Sequence, residues 1–184
     1  PSRSKAWILS QASRMAMLAT RPEESIAYGE RALELAAALG LPEIRIHTLA
    51  SVGGVRTYRG EPEGLEQLEE SAALARTLNS PELARSLNNL SSVYDIYGRI
   101  REGDEAMSEA IAAAERFGLG AMGMFSRGNY LYALYRAGRW DAAIADAEAL
   151  IEEAVAAGLQ SAERLALQAR AMILLDRADT AGAE

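Results

Sequence analysis

Apolar residues recur along the chain at the three-to-four spacing of an amphipathic helix, in helix-length runs broken by short turns. Four segments repeat one Ala/Glu/Leu-rich pattern: Pro22 to Gly40, Pro62 to Asn79, Arg101 to Gly118 and Trp140 to Gly158. Their closing residues lie 39, 39 and 40 positions apart, and the turn residues ahead of them, Thr20, Gly60, Gly98 and Gly138, are spaced 40, 38 and 40. Gly and Asn tolerate the left-handed conformation just past a helix end. Pro22, Pro62, Pro42 and Pro81 fall near expected helix starts, where a missing N–H does no harm. The period predicts helical hairpins. The first helix of each pair, A, is expected over 3–20, 43–59, 81–98, 120–137 and 161–177. The second, B, is expected over 22–39, 62–78, 101–117 and 140–157. No strand is expected, because β-branched residues are few and the runs are too long.

Small residues recur where A and B helices must cross. One A position holds Ser13, Gly53, Ser91, Leu131 and Ala171; an early B position holds Ser25, Leu65, Gly103 and Ala143; a later one holds Ala32, Ala72, Ala110 and Leu150. Two adjacent glycines, Gly53 and Gly54, lie inside an A helix, and close packing is the expected compensation for their poor helix propensity. A hairpin cannot bury its apolar face alone, so the units are expected to stack into an α-solenoid of four full repeats and one unpaired helix, about nine helices in all.

The Leu90-Ser-Ser-Val-Tyr94 run with Gly98, and the Leu134-Tyr-Arg-Ala-Gly138-Arg-Trp-Asp-Ala-Ala143 run, resemble tetratricopeptide repeats, and the likeness extends over nearly the whole chain. Leu65, Leu131 and Leu150 stand where the pattern has small residues, and Thr20 stands for Gly. The unit is longer than the usual one. Long Ala/Arg-rich units of this kind are similar to the helical-repeat regions of large actinobacterial regulators, the LuxR-type and MalT-like ATP-dependent activators among them. The resemblance implies an all-α, right-handed solenoid with repeats at about 3–40, 43–79, 81–118 and 120–158 and a partial one over 161–184, forming one domain of a larger protein.

Composition narrows the function classes. Of 184 residues 49% are hydrophobic and 24% charged, which argues against disorder. No apolar run is long enough for a membrane span, and Pro1 to Lys5 do not lead into a signal-type core. Zero Cys excludes disulfides and Cys-ligated metal. A net charge of −7 makes direct nucleic-acid binding a poor expectation. The missing initial Met suggests a piece of a longer chain, and Lys5 as the single Lys among 19 basic residues suggests a GC-rich bacterial genome. The charge is uneven: the A spans hold 12 basic and 5 acidic residues, the B spans 4 basic and 18 acidic. A solvated acidic outside explains this; a locally basic inner groove drawing an anionic partner is the sharper expectation.

In tetratricopeptide-like proteins the A helices line the concave surface. The resemblance therefore implies a peptide or ligand groove of Trp7, Arg14, His47, Tyr58, Arg85, Asn88, Asn89, Phe125, Asn129, Tyr132, Tyr135 and Arg136. Aromatics and Arg supply anchors at low entropy cost, and Asn can bond an extended backbone. The Lys/Asn/Arg clamp by which some members hold a C-terminal carboxylate is not matched, since the corresponding positions read Ser10, Arg14, Ser51, Arg85 and Asn89.

Catalytic constellations are not evident. His47 is the single His, with no orienting acid apparent beside it and no Cys to complete a zinc site. Gly118-Leu-Gly120-Ala-Met-Gly123 lacks the Lys-Ser/Thr and the preceding strand of a phosphate loop. The expectation is a non-catalytic protein-interaction scaffold with no metal and no cofactor. It would be the docking or sensor arm of a cytoplasmic bacterial transcriptional or signalling regulator, with a protein or peptide partner that an acidic segment would suit. The alternative is a sensor domain holding a small-molecule inducer in the concave face. Helix 161–177 offers an uncovered apolar face, which suggests a homodimer through it.

Overall fold

Each of the eight residues expected to turn the chain has a positive φ. Thr20 and Asn79 sit at 54° and 49°, and Gly40, Gly60, Gly98, Gly118, Gly138 and Gly158 between 61° and 77°. In every case the next residue donates its N–H to the carbonyl five residues back, as Leu41 does to Ala36 at 2.9 Å and Arg139 to Leu134 at 3.0 Å. This bond satisfies an orphan carbonyl of the ending helix and reverses the chain. Thr20 alone carries a β-branched side chain into the left-handed region, where Cβ crowds the backbone. Thr20→Gly is therefore expected to stabilise the chain by about 0.5–1 kcal/mol, net of the extra freedom gained by the unfolded state. A urea midpoint at or below that of the parent would contradict this.

The protein is described here from a computed structural model covering residues 1–177; residues 178–184 of the expected partial repeat lie outside the described residues. Among the described residues there are nine helices and no strand. They are α1 (Arg3–Leu18), α2 (Pro22–Leu39), α3 (Pro42–Tyr58), α4 (Glu63–Thr77), α5 (Leu83–Ile96), α6 (Ile100–Arg116), α7 (Gly120–Arg136), α8 (Trp140–Ala157) and α9 (Gln160–Asp176). The odd-numbered helices are the A helices and the even-numbered the B helices. Boundaries agree with the repeat to within two residues. Pro22 and Pro42 open their helices, whereas Pro62 and Pro81 sit in the turns just before theirs. The architecture is all-α, built of helical hairpins.

Contacts divide the chain into two compact units, residues 1–113 and 114–184. In the first, large side chains including Ile46, Leu49, Leu68, Leu83 and Leu87 are buried. Its hairpins close on small residues. Ser13 donates to the Ser25 carbonyl at 2.7 Å, and Ser25 returns a bond to the Ser13 carbonyl at 2.9 Å. A Cβ on Gly53 would lie 2.8 Å from the Gly64 carbonyl oxygen, so α3 and α4 meet backbone to backbone. The B partner of Gly53 is thus Gly64, not the expected Leu65, which is only half-buried. The crossing residue of α4 thus lies one place nearer its turn than in the sibling repeats, and α4 itself begins at Glu63 with Pro62 outside the helix. Gly54 does not fulfil the packing expectation: a Cβ there would meet nothing within 4 Å.

The second unit is built on Leu131, Leu134, Ala143, Ala147, Leu150, Ala166, Ala169 and Ile173, with Met124, Tyr130, Trp140 and Ile144 packed against them. Leu131 stands at the A/B crossing where other repeats have Ser or Gly, opposite the small Ala143. Gly128 admits the Leu165 side chain of α9, which would lie 2.9 Å from an added Cβ.

Candidate functional site

The charge asymmetry between A and B helices is largely consumed inside the fold. Arg45 of α3 pairs with Glu70 of α4 at 2.6 Å, and Arg56 of α3 with Glu30 of α2 at 2.6 Å. Arg59, just past α3, binds Glu23 of α2 at 2.6 Å; three repeats later, Arg177 binds Asp141 of α8 at 2.7 Å. Arg127 of α7 pairs with Glu153 of α8 at 2.6 Å, and Arg170 of α9 with Glu148 of α8 at 3.7 Å. Each such surface pair contributes little, about 0–1 kcal/mol. Their repetition nevertheless shows what the A-helix arginines are for: they reach the acidic face of neighbouring B helices. Half of the twelve A-span cations are engaged this way, although Arg14, Arg85 and Arg136 of the expected groove are not among them.

The candidate groove residues divide between the units. Trp7, Arg14, His47, Tyr58, Arg85, Asn88 and Asn89 lie in the first; Phe125, Asn129, Tyr132, Tyr135 and Arg136 lie in the second. In the first unit His47 is 1% exposed. Its Nδ1 lies 2.7 Å from Ser10 Oγ and its Nε2 3.3 Å from the Gln11 amide nitrogen, and the Trp7 ring lies 5.3 Å away by centroid. Burial pushes the imidazole pKa down to about 4, and the nearby positive Arg85 adds to the shift. His47 is thus a neutral link between α1 and α3. Arg85, nearly buried, donates to the His47 carbonyl at 2.6 Å and to Ser51 Oγ at 3.3 Å, and pairs with Glu82 at 2.9 Å. Burial lowers its pKa from the usual arginine value. Asn88 is buried, and Asn89 Nδ2 donates to the Ala50 carbonyl at 3.0 Å. The polar residues assigned to a groove therefore stitch successive A helices together. Arg14 is half-buried and Tyr58 is 71% exposed.

In the second unit Phe125, Asn129, Tyr132 and Tyr135 are half-buried and Arg136 is exposed. The Tyr135 hydroxyl donates to the Asp176 carboxylate, and its ring stacks on Trp140, whose indole N–H donates to the Tyr135 carbonyl at 3.0 Å. Burial raises the Tyr132 pKa.

A concave feature with an apolar wall lies in the first unit, between the C-terminal halves of α1, α3 and α5. It is a cavity of about 530 Å³. Met17, Val55 and Val93 form its apolar wall, Pro22 and Thr20 its edge at the α1–α2 turn, and Tyr58, Arg59, Asn89 and Ser92 its polar rim. Gly54 lines it with no side chain, which is why its Cβ position is empty. Only Tyr58 and Asn89 of the expected residues line it. The Tyr58 hydroxyl and Asn89 Oδ1 have no partner among the described residues, while Arg59 is shared by Glu23 and Glu61. The glycine pair was the signal in the sequence: one of the two packs a helix, and the other leaves a space. No group of three or more His, Asp or Glu fit to hold a metal occurs among the described residues. None of the described helices is long and apolar enough to cross a membrane.

No protein-family model and no curated protein matches the chain. Solved structures do. The Rap protein complexed with competence and sporulation factor matches with a TM-score of 0.75 at 16% identity, over 98% of this chain and 61% of that one. A Signal Transduction ATPase with Numerous Domains carrying a tetratricopeptide repeat sensor, from Pyrococcus horikoshii, matches with a TM-score of 0.71 at 16% identity, over 93% of this chain but 27% of that one. A kinesin light chain of nearly identical TPR-like repeats from Podosopora anserina matches with a TM-score of 0.70 at 16% identity, over 96% of this chain and 88% of that one. The order of nine helices, the glycine-closed turns and these likenesses together give the chain the fold of the tetratricopeptide-like repeat proteins.

Proposed function

We propose that the chain is a non-catalytic docking module whose cavity between α1, α3 and α5 seats an apolar anchor residue of a protein or peptide segment. The observation that carries this is the apolar space left by Gly54, walled by Met17, Val55 and Val93 and rimmed by Tyr58 and Asn89, whose free polar atoms suit a peptide backbone. Arg14 on α1, which has no carboxylate partner among the described residues, favours an acidic flank beside the anchor. The place of such a module is the docking or sensor arm of a larger cytoplasmic bacterial regulator, of the LuxR-type or MalT-like kind. That the matched ATPase carries its repeats as a sensor, and that the matched Rap protein was solved with a bound factor, supports this reading. The second reading is a small apolar effector in the same cavity, which its volume of about 530 Å³ favours, being of the size that holds such ligands. Pairing of copies through the exposed Leu167 and Leu175 of α9 belongs to the same proposal.

The test is a selection of peptides from a random displayed library on the whole chain. Selected peptides are expected to share one large apolar residue and to lose at least tenfold in affinity on Gly54→Leu, which fills the cavity from a position with open space. Peptides that bind the Gly54→Leu variant as well as the parent would overturn the assignment.

A further inference from the structure

The cavity beside Gly54 has apolar walls, and its polar rim is chemically one-sided. Asn89 Nδ2 donates to the Ala50 carbonyl at 3.0 Å, which ties the amide nitrogen to α3 and leaves Oδ1 as an acceptor with no donor among the described residues. Ser92 Oγ donates its proton to the Asn88 carbonyl at 3.3 Å, and Thr20 Oγ1 donates to the Ala19 carbonyl at 2.8 Å. Both hydroxyls line the cavity, and with their protons spent they offer an occupant only lone pairs. Arg59, the cationic donor of the rim, is held by Glu23 at 2.6 Å and by Glu61 at 2.8 Å. The rim is therefore biased towards acceptors. A wholly apolar occupant would strip water from Asn89 Oδ1 and give it no donor in return, and an occupant with an acceptor there would meet lone pairs.

Shape narrows the occupant further. Gly54 leaves the α3 backbone bare beside Val55, with Met17 and Val93 completing the wall. A cavity of about 530 Å³ is far roomier than an aliphatic side chain needs, and a broad ring system fills it better. Trp is the large apolar side chain whose polar atom only donates. We propose, building on the assignment of the cavity to an anchor, that this anchor is a tryptophan of the partner segment. Its ring lies against Val55, Val93 and Met17, and its indole N–H donates to Asn89 Oδ1. Asn89 then sets specificity, because Leu, Met and Phe suit the same walls but bring no donor. Tyr58 is 71% exposed at the rim, so the anchor enters there while the backbone of the segment stays outside, beside the Tyr58 hydroxyl.

The test is methyl NMR of the whole chain titrated with three probes. They are N-acetyl-tryptophan amide, its benzothienylalanine analogue, in which sulfur replaces the indole N–H at nearly the same shape, and free indole. Saturable shifts at the methyls of Val55 and Val93 are expected with the tryptophan amide, at a Kd at least about fivefold below that of the sulfur analogue. Asn89→Leu removes the acceptor and is expected to abolish that difference. Asn89→Asp keeps an acceptor at the rim and is expected to retain it. Circular dichroism and the urea midpoint check that each variant folds, and the comparison of the two amides on the parent needs no variant. Equal Kd values on the parent, or a preference that survives Asn89→Leu, would overturn the proposal. Free indole binding as tightly as the amide would also overturn it, because the cavity would then serve a small molecule and not a side chain. So would the absence of shifts at Val55 and Val93 with all three probes. Failure here is separable from failure of the cavity assignment: selected peptides that lack Trp yet lose affinity on Gly54→Leu would remove the tryptophan and keep the cavity, whereas peptides indifferent to Gly54→Leu would remove both.

Discussion

Gly64→Val is expected to destabilise the chain by about 3 kcal/mol, against the sign that helix propensity alone predicts. Propensity favours the change by only a few tenths of a kcal/mol, because Val is itself a modest helix former. Packing opposes it far more strongly. A Cβ at residue 64 would collide with the backbone nitrogen and Oγ1 of Thr57 and lie 2.7 Å from the Gly53 carbonyl oxygen. Two of these three atoms are backbone, so no rotamer change relieves the clash, and α3 and α4 must move apart. Parting them also disturbs Leu68 and Ser71, the buried residues of α4 that face α3 and α5. Urea denaturation followed by circular dichroism measures the effect. A loss under about 1 kcal/mol would mean that the crossing is looser than described.

Acid is expected to remove about 3 kcal/mol between pH 6.5 and 4 through a single residue, His47. The folded chain holds its imidazole at a pKa of about 4, against 6.5 in the unfolded chain. Between these values the unfolded state binds a proton that the folded state refuses, so stability rises with pH across the window and is complete above it. The slope approaches 1.4 kcal/mol per pH unit. Burial beside Ser10, Gln11 and Trp7 disfavours the charged imidazole, and Arg85 repels a second positive charge. Among carboxylates, Glu23, Glu102 and Glu153 have pKa values lowered from 4.5 by their Arg partners or, for Glu23, first by backbone hydrogen bonding. Their contribution is lost only below that value, so the two windows separate. His47→Gln keeps a polar group between Ser10 and Gln11 and is expected to flatten the slope from 6.5 to 4. An unchanged slope in the variant would assign the acid sensitivity elsewhere.

The repeat was legible because turn chemistry is local. A residue that must adopt positive φ advertises itself as Gly or Asn, and the spacing of such residues gave every helix to within two positions. Thr20, which carries no such advertisement, was placed by the period alone. The crossing at Gly64 lies one residue from the position the 40-residue period picks out, Leu65, because period alone places a residue along the chain and not around the helix. Of the polar residues the sequence places on the A helices, His47 and Arg85 are engaged within the fold, and Asn89 is engaged through its Nδ2. Periodicity can put Arg85 and Asn89 on a face; it cannot tell a ligand from the carbonyls of His47 and Ala50 on the next helix. Net charge per helix was equally blind to the reach of Arg45, Arg56 and Arg127 across to B-helix carboxylates. The cavity depends on which of two adjacent glycines faces a neighbour, a distinction of 100° about the helix axis that sequence spacing resolves only when the register is known.

The central claim is that the space beside Gly54 receives the anchor of a partner. Methyl NMR of the whole chain, titrated with a peptide selected on it, tests this most directly. The account predicts saturable shifts at the methyls of Met17, Val55 and Val93, which line the cavity, and none of that size at Ile8 and Met15. Shifts confined to residues outside the cavity, with Met17, Val55 and Val93 unmoved at saturation, would contradict it.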